Sequence, residues 1–555
     1  MNRFSLPILL AAVPISLGLG LAGCGGIDDP ESDGGTSLAD VGDPVTGDWL
    51  VVHESGEPAT LNPYLDAAGA GSVQIVNQNI FETLLKRDYE TLELKPHIAK
   101  SYEISDDHLT YTFYLRDDVK FSDGKPLTAQ DVKFTFDAIM DPANDTATPR
   151  SFLNDVKSVD VLDDYTIQIS CTKPYFLHLG TFGELWVLPK HIYGHGDFNT
   201  LEVNRAPVGS GPYVFEEWAT GSHITIARRD DYWGEKKPYL DKIRWLMITD
   251  SNAALQALKA GDMDFMATSS EQWVQQASKP SFERKFNKLI GWSSAEGYLG
   301  SFGWIGWNMR RPQLSDRRVR RAFTMLLDRQ TIVETLLYNY GRVVTGPDFP
   351  DSPEYNKEIE PWAYDPARAR ALLDEAGWKD TNSDGIRDKD GIDLKVEFLM
   401  PSGSSTYERI ATVFKEQMDK AGVDFRIKPL EWATFLESVT KRDFDACTMA
   451  WVSSAESDNY QIWHSSQSEK GSNYVGFVNE EVDKILEDAR LEFDKGKRAK
   501  MYHRFHEILH EEQPYTFLFN SPRKVAVDKR FQNVKLYALG FDFHEWWVPK
   551  DRQKY

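Results

Sequence analysis

The stretch from Tyr111 to Phe136, YTFYLRDDVKFSDGKPLTAQDVKFTF, constrains the fold of this chain more than any other. Its first part, Tyr111 to Phe121, is rich in aromatic and β-branched residues and reads as a strand. Ser122-Asp123-Gly124-Lys125-Pro126 is turn chemistry, because Asp bonds its own backbone and Gly accepts positive φ. Thr128 then precedes Ala129-Gln130-Asp131, where a hydroxyl caps a helix and a carboxylate favours the positive end of its dipole. A strand, a tight turn and a capped helix are thereby forced together. With 555 residues, two or three domains are expected rather than one.

A composition of 41% hydrophobic and 27% charged residues is that of a soluble globular body. The net charge of -22 argues against nucleic acid and anionic lipid surfaces as partners. Three cysteines, Cys24, Cys171 and Cys447, supply no disulfide framework.

The N-terminus reads as an address. After Arg3, the segment Leu6 to Leu21 is apolar but broken by Pro7 and Pro14, and it is short for a membrane span. It ends in Leu21-Ala22-Gly23-Cys24, which resembles a bacterial lipobox. That resemblance implies a signal peptide over 1–23, cleavage before Cys24 and lipidation of its thiol, anchoring the protein to a membrane of the cell envelope. The alternative is an ordinary signal peptide with an incidental cysteine. Residues 24–47, rich in Gly, Asp, Ser and Pro, read as a disordered tether.

Many short runs in the body agree with one another. They include Thr110-Tyr111-Thr112-Phe113, Leu115-Arg116, Val119-Lys120-Phe121, Asp123-Gly124 and Thr128-Ala129. Further along come Glu57-Pro58-Ala59-Thr60-Leu61-Asn62-Pro63, Phe81-Glu82-Thr83-Leu84, Val208-Gly209-Ser210-Gly211-Pro212-Tyr213 and Glu431-Trp432 with Phe435. Together they resemble the family 5 extracellular solute-binding proteins, the oligopeptide- and dipeptide-binding receptors of ABC importers. The similarity runs from about Trp49 to Trp547. The glycine-rich run 208–213 lacks the Lys-Ser/Thr ending of a phosphate loop.

The resemblance implies an α/β, periplasmic-binding-protein-like fold, with two lobes around a cleft and an extra domain on the N-terminal lobe. The expected organisation is lobe 1 at 48–85, 189–286 and 520–555, the extra domain at 86–188, and lobe 2 at 287–519. Local patterns are expected to include a helix over Val73 to Leu85 and a βαβ unit over 394–429. In peptide-binding members of the family, a carboxylate shortly after a Trp holds the ligand's amino group. Here Trp451 matches that Trp, Ser454 stands where the usual Asp would be, and Asp458 follows in the same loop. Trp432, Trp304 and Glu57 complete the ligand-binding set that the resemblance implies.

The implied function is capture of a peptide or similar small polar solute and its delivery to membrane permease subunits, by a monomeric protein without enzymatic activity. Alternatives are a non-peptide ligand (nickel, haem or an oligosaccharide), a sensor, or a secreted hydrolase using two of the many carboxylates. No G-x-S-x-G or H-E-x-x-H motif is present. No cofactor is expected, save a structural calcium. Asp380, Asn382, Asp384 and Asp388 are spaced like the first positions of a calcium loop with Gly385 at the sixth, but Gly391 replaces the bidentate Glu at the twelfth. The alternative there is an Asx-rich hairpin. His503, His506 and His510, at helical spacing, and the cluster Arg317, Arg318, Arg320 and Arg321 both read as solvated helix faces.

Overall fold

The computed structural model describes residues 42–292, 299–403 and 405–555. Cys24, the leader and the tether up to residue 41 lie outside the described residues. The fold is α/β, with two large sheets, a four-stranded one and two two-stranded ones among the described residues. A seven-stranded sheet runs in the order Phe286–Gly291, Arg523–Asp528, Phe265–Thr268, Trp49–Glu54, Lys242–Met247, His223–Arg228 and Tyr213–Ala219. A six-stranded sheet runs Arg342–Val343, Tyr515–Asn520, Gly300–Trp307, Ala446–Ser453, Lys395–Pro401 and Asp424–Leu430. The chain passes between these two sheets after Gly291 and again between Asn520 and Arg523. Double crossings of this kind are where two-lobed proteins bend.

The third sheet is four-stranded and antiparallel, in the order Ala99–Ile104, Thr110–Leu115, Thr166–Cys171 and Val156–Asp163. Phe113 pairs with Ile167, and Tyr111 with Ile169. All four side chains are buried, packed with Phe136 and Phe182. The stretch that opens the sequence argument sits here, with one difference: the strand stops at Leu115, and Arg116 to Phe121 lead into the turn without pairing in the sheet. Gly124 takes φ +84° in that turn. The helix Ala129–Met140 follows, and Asp131 reaches back to accept the N–H of Thr128 at 2.9 Å, closing the first turn.

The helix expected over Val73 to Leu85 ends at Val76. Ile80, Phe81 and Leu84 are all fully buried, and the chain turns after Asn77 to place them in the core. The carbonyls freed by this turn are taken by the glycine-rich run. Gly211 N–H donates to Ile80 O and Tyr213 N–H to Asn79 O, each at 2.9 Å. A Cβ on Gly209 would stand 1.9 Å from Ile80 O, so this run needs glycine for close approach of two backbones. The βαβ unit appears as expected, with Lys395–Pro401 parallel to Asp424–Leu430 across the helix Ser405–Lys420.

Two readings of exposed helix faces are corrected. On the helix Lys495–Glu512, His506 is fully buried, its Nε2 bonded to Thr345 Oγ1 at 2.9 Å and its Nδ1 accepting the N–H of Asn356. Burial pushes its imidazole down to about 3, so it is neutral. His510 stacks on Trp362. On the helix Arg317–Met325, Arg320 is 1% exposed and donates to the carbonyls of Leu314, Ser315, Glu512 and Gln513. It caps the C-terminal end of the neighbouring helix, satisfying carbonyls that would otherwise be orphaned.

Three distant pieces of chain meet at Arg530 beside the seven-stranded sheet. Its guanidinium donates to Asp48 Oδ2 at 3.0 Å, to both oxygens of Asp264 and to Trp49 O at 2.8 Å. Asp264 also accepts the N–H of Val51 and the ammonium of Lys554. Removing one partner of such a buried pair strands the others. Arg530→Ala is therefore expected to lower the unfolding free energy by about 3–5 kcal/mol, read as a fall in the denaturant midpoint.

Candidate functional site

A cavity of about 590 Å³ lies between the seven-stranded sheet, the loops around the four-stranded sheet and the loop that follows Ala446–Ser453. That is within the range of about 300–1,000 Å³ usual for small-ligand sites. Its walls come from Gln74 to Asn79 and Phe541 to His544, from Pro149 to Leu153 and Leu177 to Trp186, and from Ser454 to Glu456. Phe265 and Arg523, from adjacent strands of the seven-stranded sheet, form part of its surface. Trp186 is fixed at the wall by its indole N–H to Asn77 Oδ1 at 2.9 Å and by Tyr64 O–H to its carbonyl at 2.6 Å. His544 is the one imidazole lining the cavity among the described residues, and it is engaged: Nε2 bonds Asn79 Oδ1 at 2.9 Å, with Nδ1 3.7 Å from Asp542. Burial lowers its pKa to about 4, against the pull of Asp542.

Arg87 is the charge at the centre. It holds Glu184 in a two-pronged contact, Nε to Oε1 at 3.0 Å and Nη2 to Oε2 at 2.6 Å, and donates to Leu92 O. Across the cavity stands Glu456, whose contacts are all long: 3.9 Å to Arg87, 3.4 Å to Lys495 and 3.3 Å to Arg498. Charge-assisted bonds settle near 2.7–2.9 Å. Glu456 is thus a carboxylate at the cavity surface faced by three cationic side chains, the nearest being Arg498 at 3.3 Å.

The strand Ala446–Ser453 leads into this wall. Along one edge it pairs with Gly300–Trp307 from end to end. Along the other it pairs with Lys395–Pro401 only at Ala446 and Cys447. From Thr448 to Ser453 that second edge has no strand partner among the described residues, and the next residues, Ser454 to Glu456, line the cavity. An open edge of this kind accepts an extended peptide as an added strand.

Residues 93–473 match the model of the bacterial extracellular solute-binding proteins, family 5. The chain belongs to this family. It is 34% identical over 562 residues to the oligopeptide-binding protein AppA of Bacillus subtilis, covering 99% of this chain and 100% of that relative. The solved structure of that AppA in complex with a nonapeptide superposes with TM-score 0.77, over 92% of this chain and 100% of the other. Proteins whose names give other ligands are also similar. The structure of NikZ from Campylobacter jejuni in complex with Ni(L-His) is 27% identical with TM-score 0.75, over 90% of this chain and 99% of that one. The heme-binding protein A of Haemophilus influenzae is 26% identical over 87% of this chain and 89% of its own.

Of the residues the family resemblance singled out, Ser454 lines the cavity and bonds Glu456 O at 2.7 Å. Trp451 lies on the strand just before it, half-buried, stacked between Trp304 and Tyr474. Trp304 is fully buried and stacks face to face on Tyr515 at 4.1 Å, which makes it part of the lobe's core. Trp432 opens the helix Trp432–Thr440, is exposed, stacks on Phe435 and does not line the cavity. Glu57 is exposed and accepts from Trp218 Nε1 and Gly221 N–H, bracing a hairpin away from the cavity. Asp458 is already held by Arg490 and by Tyr175 O–H at 2.6 Å. The carboxylate that this loop turns to the cavity is Glu456. Sequence reasoning passed over Glu456 and Arg87 because neither stands at the family's usual spacing from Trp451.

The calcium-like loop is folded on itself. Asp380 accepts the N–H groups of Ser383 and Gly385, Asn382 that of Asp384, Asp384 that of Ile386, and Asp388 both groups of Thr381. Among the described residues, no group of three or more His, Cys, Asp and Glu side chains is arranged to hold a metal ion. Glu456→Gln keeps the shape and removes the charge. It is expected to weaken ligand binding roughly 10–100-fold, in line with a charged hydrogen bond of about 1.5–3 kcal/mol, and to lower the thermal midpoint without ligand, because the buried Arg498 loses its carboxylate. Calorimetric titration and a melting curve read the two effects.

Proposed function

We propose that this protein is the substrate-binding component of an ABC importer and captures short peptides in the cleft. The observation that carries the reading is the strand edge left unpaired at Thr448–Ser453, which leads into a cavity lined by the Glu456 carboxylate. A peptide laid along this edge satisfies its own N–H and C=O groups and the free ones of the strand. Its ammonium reaches Glu456, replacing contacts of 3.3–3.9 Å with a direct charge-assisted bond. Side chains then enter the apolar wall of Trp186, Phe541 and Phe543. Because main-chain groups supply most of the binding, the site accepts many sequences.

The folded body works outside the cytoplasmic membrane, anchored by lipid on Cys24, and hands its ligand to permease subunits. No helix of the described residues is long and apolar enough to cross a membrane. A nickel- or haem-binding role has less support, since the single lining imidazole is tied to Asn79 and flanked by Asp542. A hydrolase role is weaker still, because Glu184 and Glu456 both face Arg87. Protein lacking the residues before Gly25, purified and then denatured, is expected to release a ladder of short peptides, identified by mass spectrometry. Release of one non-peptide compound would overturn the peptide assignment.

A further inference from the structure

The four-stranded domain touches the second large lobe through a seam that lies outside the cavity. At its centre is Tyr175, in the loop after strand Thr166–Cys171. Its hydroxyl donates to Asp458 Oδ2 at 2.6 Å, and the same oxygen accepts from Arg490 Nε at 2.9 Å. The guanidinium of Arg490 lies over the Tyr460 ring at 3.8 Å and the Tyr175 ring at 5.3 Å. Next along, Phe176 N–H donates to Arg490 O at 3.0 Å, and Arg498 covers the Phe176 ring at 3.9 Å. At the outer end, His108 and Phe493 stack with centroids 3.6 Å apart. None of Tyr175, Asp458, Arg490, His108 or Phe493 lines the cavity.

This seam joins parts of the chain that an open cleft would separate. The helix His178–Gly183 and Glu184, which follow Tyr175 directly, lie at the cavity wall, as does Glu456, two residues before Asp458. Moving the four-stranded domain off the second lobe must therefore break the seam and unroof the cavity together. The seam is mostly a charge-assisted hydrogen-bond set with partly buried partners, Asp458 being 12% exposed and Arg490 28%. Such contacts exceed those of an exposed ion pair.

We infer that Tyr175, with Asp458 and Arg490, is a latch by which the four-stranded domain acts as a third jaw. These positioning residues set how often the cleft opens, and hence how long a ligand stays, without touching the ligand. The inference rests on the binding role above only for what the cleft holds. The latch itself is measurable without ligand.

Hydrogen exchange on the whole described body, without added peptide, tests it through the Phe176 amide, which is protected only while the seam is closed. Tyr175→Phe keeps the ring and removes the hydroxyl. It is expected to speed exchange in the fragment carrying Phe176 about tenfold, with exchange in strand Arg523–Asp528 unchanged. Phe493→Leu, which removes the separate stack on His108, is expected to act in the same direction. Wild-type exchange at Phe176 in both variants would overturn the latch. So would equal acceleration in strand Arg523–Asp528, which would mean general loosening. A peptide-free protein that still shows the Tyr175→Phe effect keeps the latch even if the peptide assignment fails.

Discussion

The guanidinium of Arg530 is the contact on which the first half of the cleft depends. Asp48, Asp264 and Arg530 are far apart in sequence, and each is nearly or wholly buried. An isolated carboxylate in that place would be costly, and burial indeed pushes the Asp264 carboxyl upward against the pull of Arg530 and Lys554. Pairing makes the strand Trp49–Glu54, the strand Phe265–Thr268 and the C-terminal segment fold as one piece. Phe541 to His544, which line the cavity, lie on that C-terminal segment. The geometry of the site thus depends on an ion network at the ends of these strands.

The second half is built differently. In the six-stranded sheet, aromatic packing does the work of the ion network: Tyr515, Trp304, Trp451 and Tyr474 form a run of near-parallel rings with interplanar angles of 2°, 22° and 7°. Large flat side chains fill this lobe, each with one polar atom on an apolar body. The run packs along strand Ala446–Ser453, whose pairing with Lys395–Pro401 ends at Cys447 and leaves the following edge unpaired. Trp451 fixes the strand that leads into Ser454 and Glu456.

Much of the architecture could be read from residues alone. The strand–turn–helix of 110–140 and the parallel pair of 395–430 both follow from local chemistry. What local patterns missed has a common cause. The helix expected through Leu85 stops at Val76 because tertiary burial of Ile80, Phe81 and Leu84 overrides the spacing. Arg320 and His506 look like surface residues in sequence, yet each is buried against chain about 150 to 190 residues away. The site was legible to the level of the loop after Trp451. The resemblance pointed to Ser454 and Asp458, whereas the side chains turned toward the cavity or away from it are set by Arg87, Tyr175 and Arg490, which come from other parts of the chain.

The central claim is that the open strand edge and Glu456 make this a receptor for peptide main chain with a free amino terminus. Calorimetric titration of unfolded-and-refolded, ligand-free protein with paired synthetic peptides tests it most directly, each sequence offered with a free and with an acetylated N-terminus. The account predicts saturable one-to-one binding of several unrelated sequences, weakened by acetylation. No binding of any peptide, together with tight binding of Ni(L-His) or haem, would contradict it.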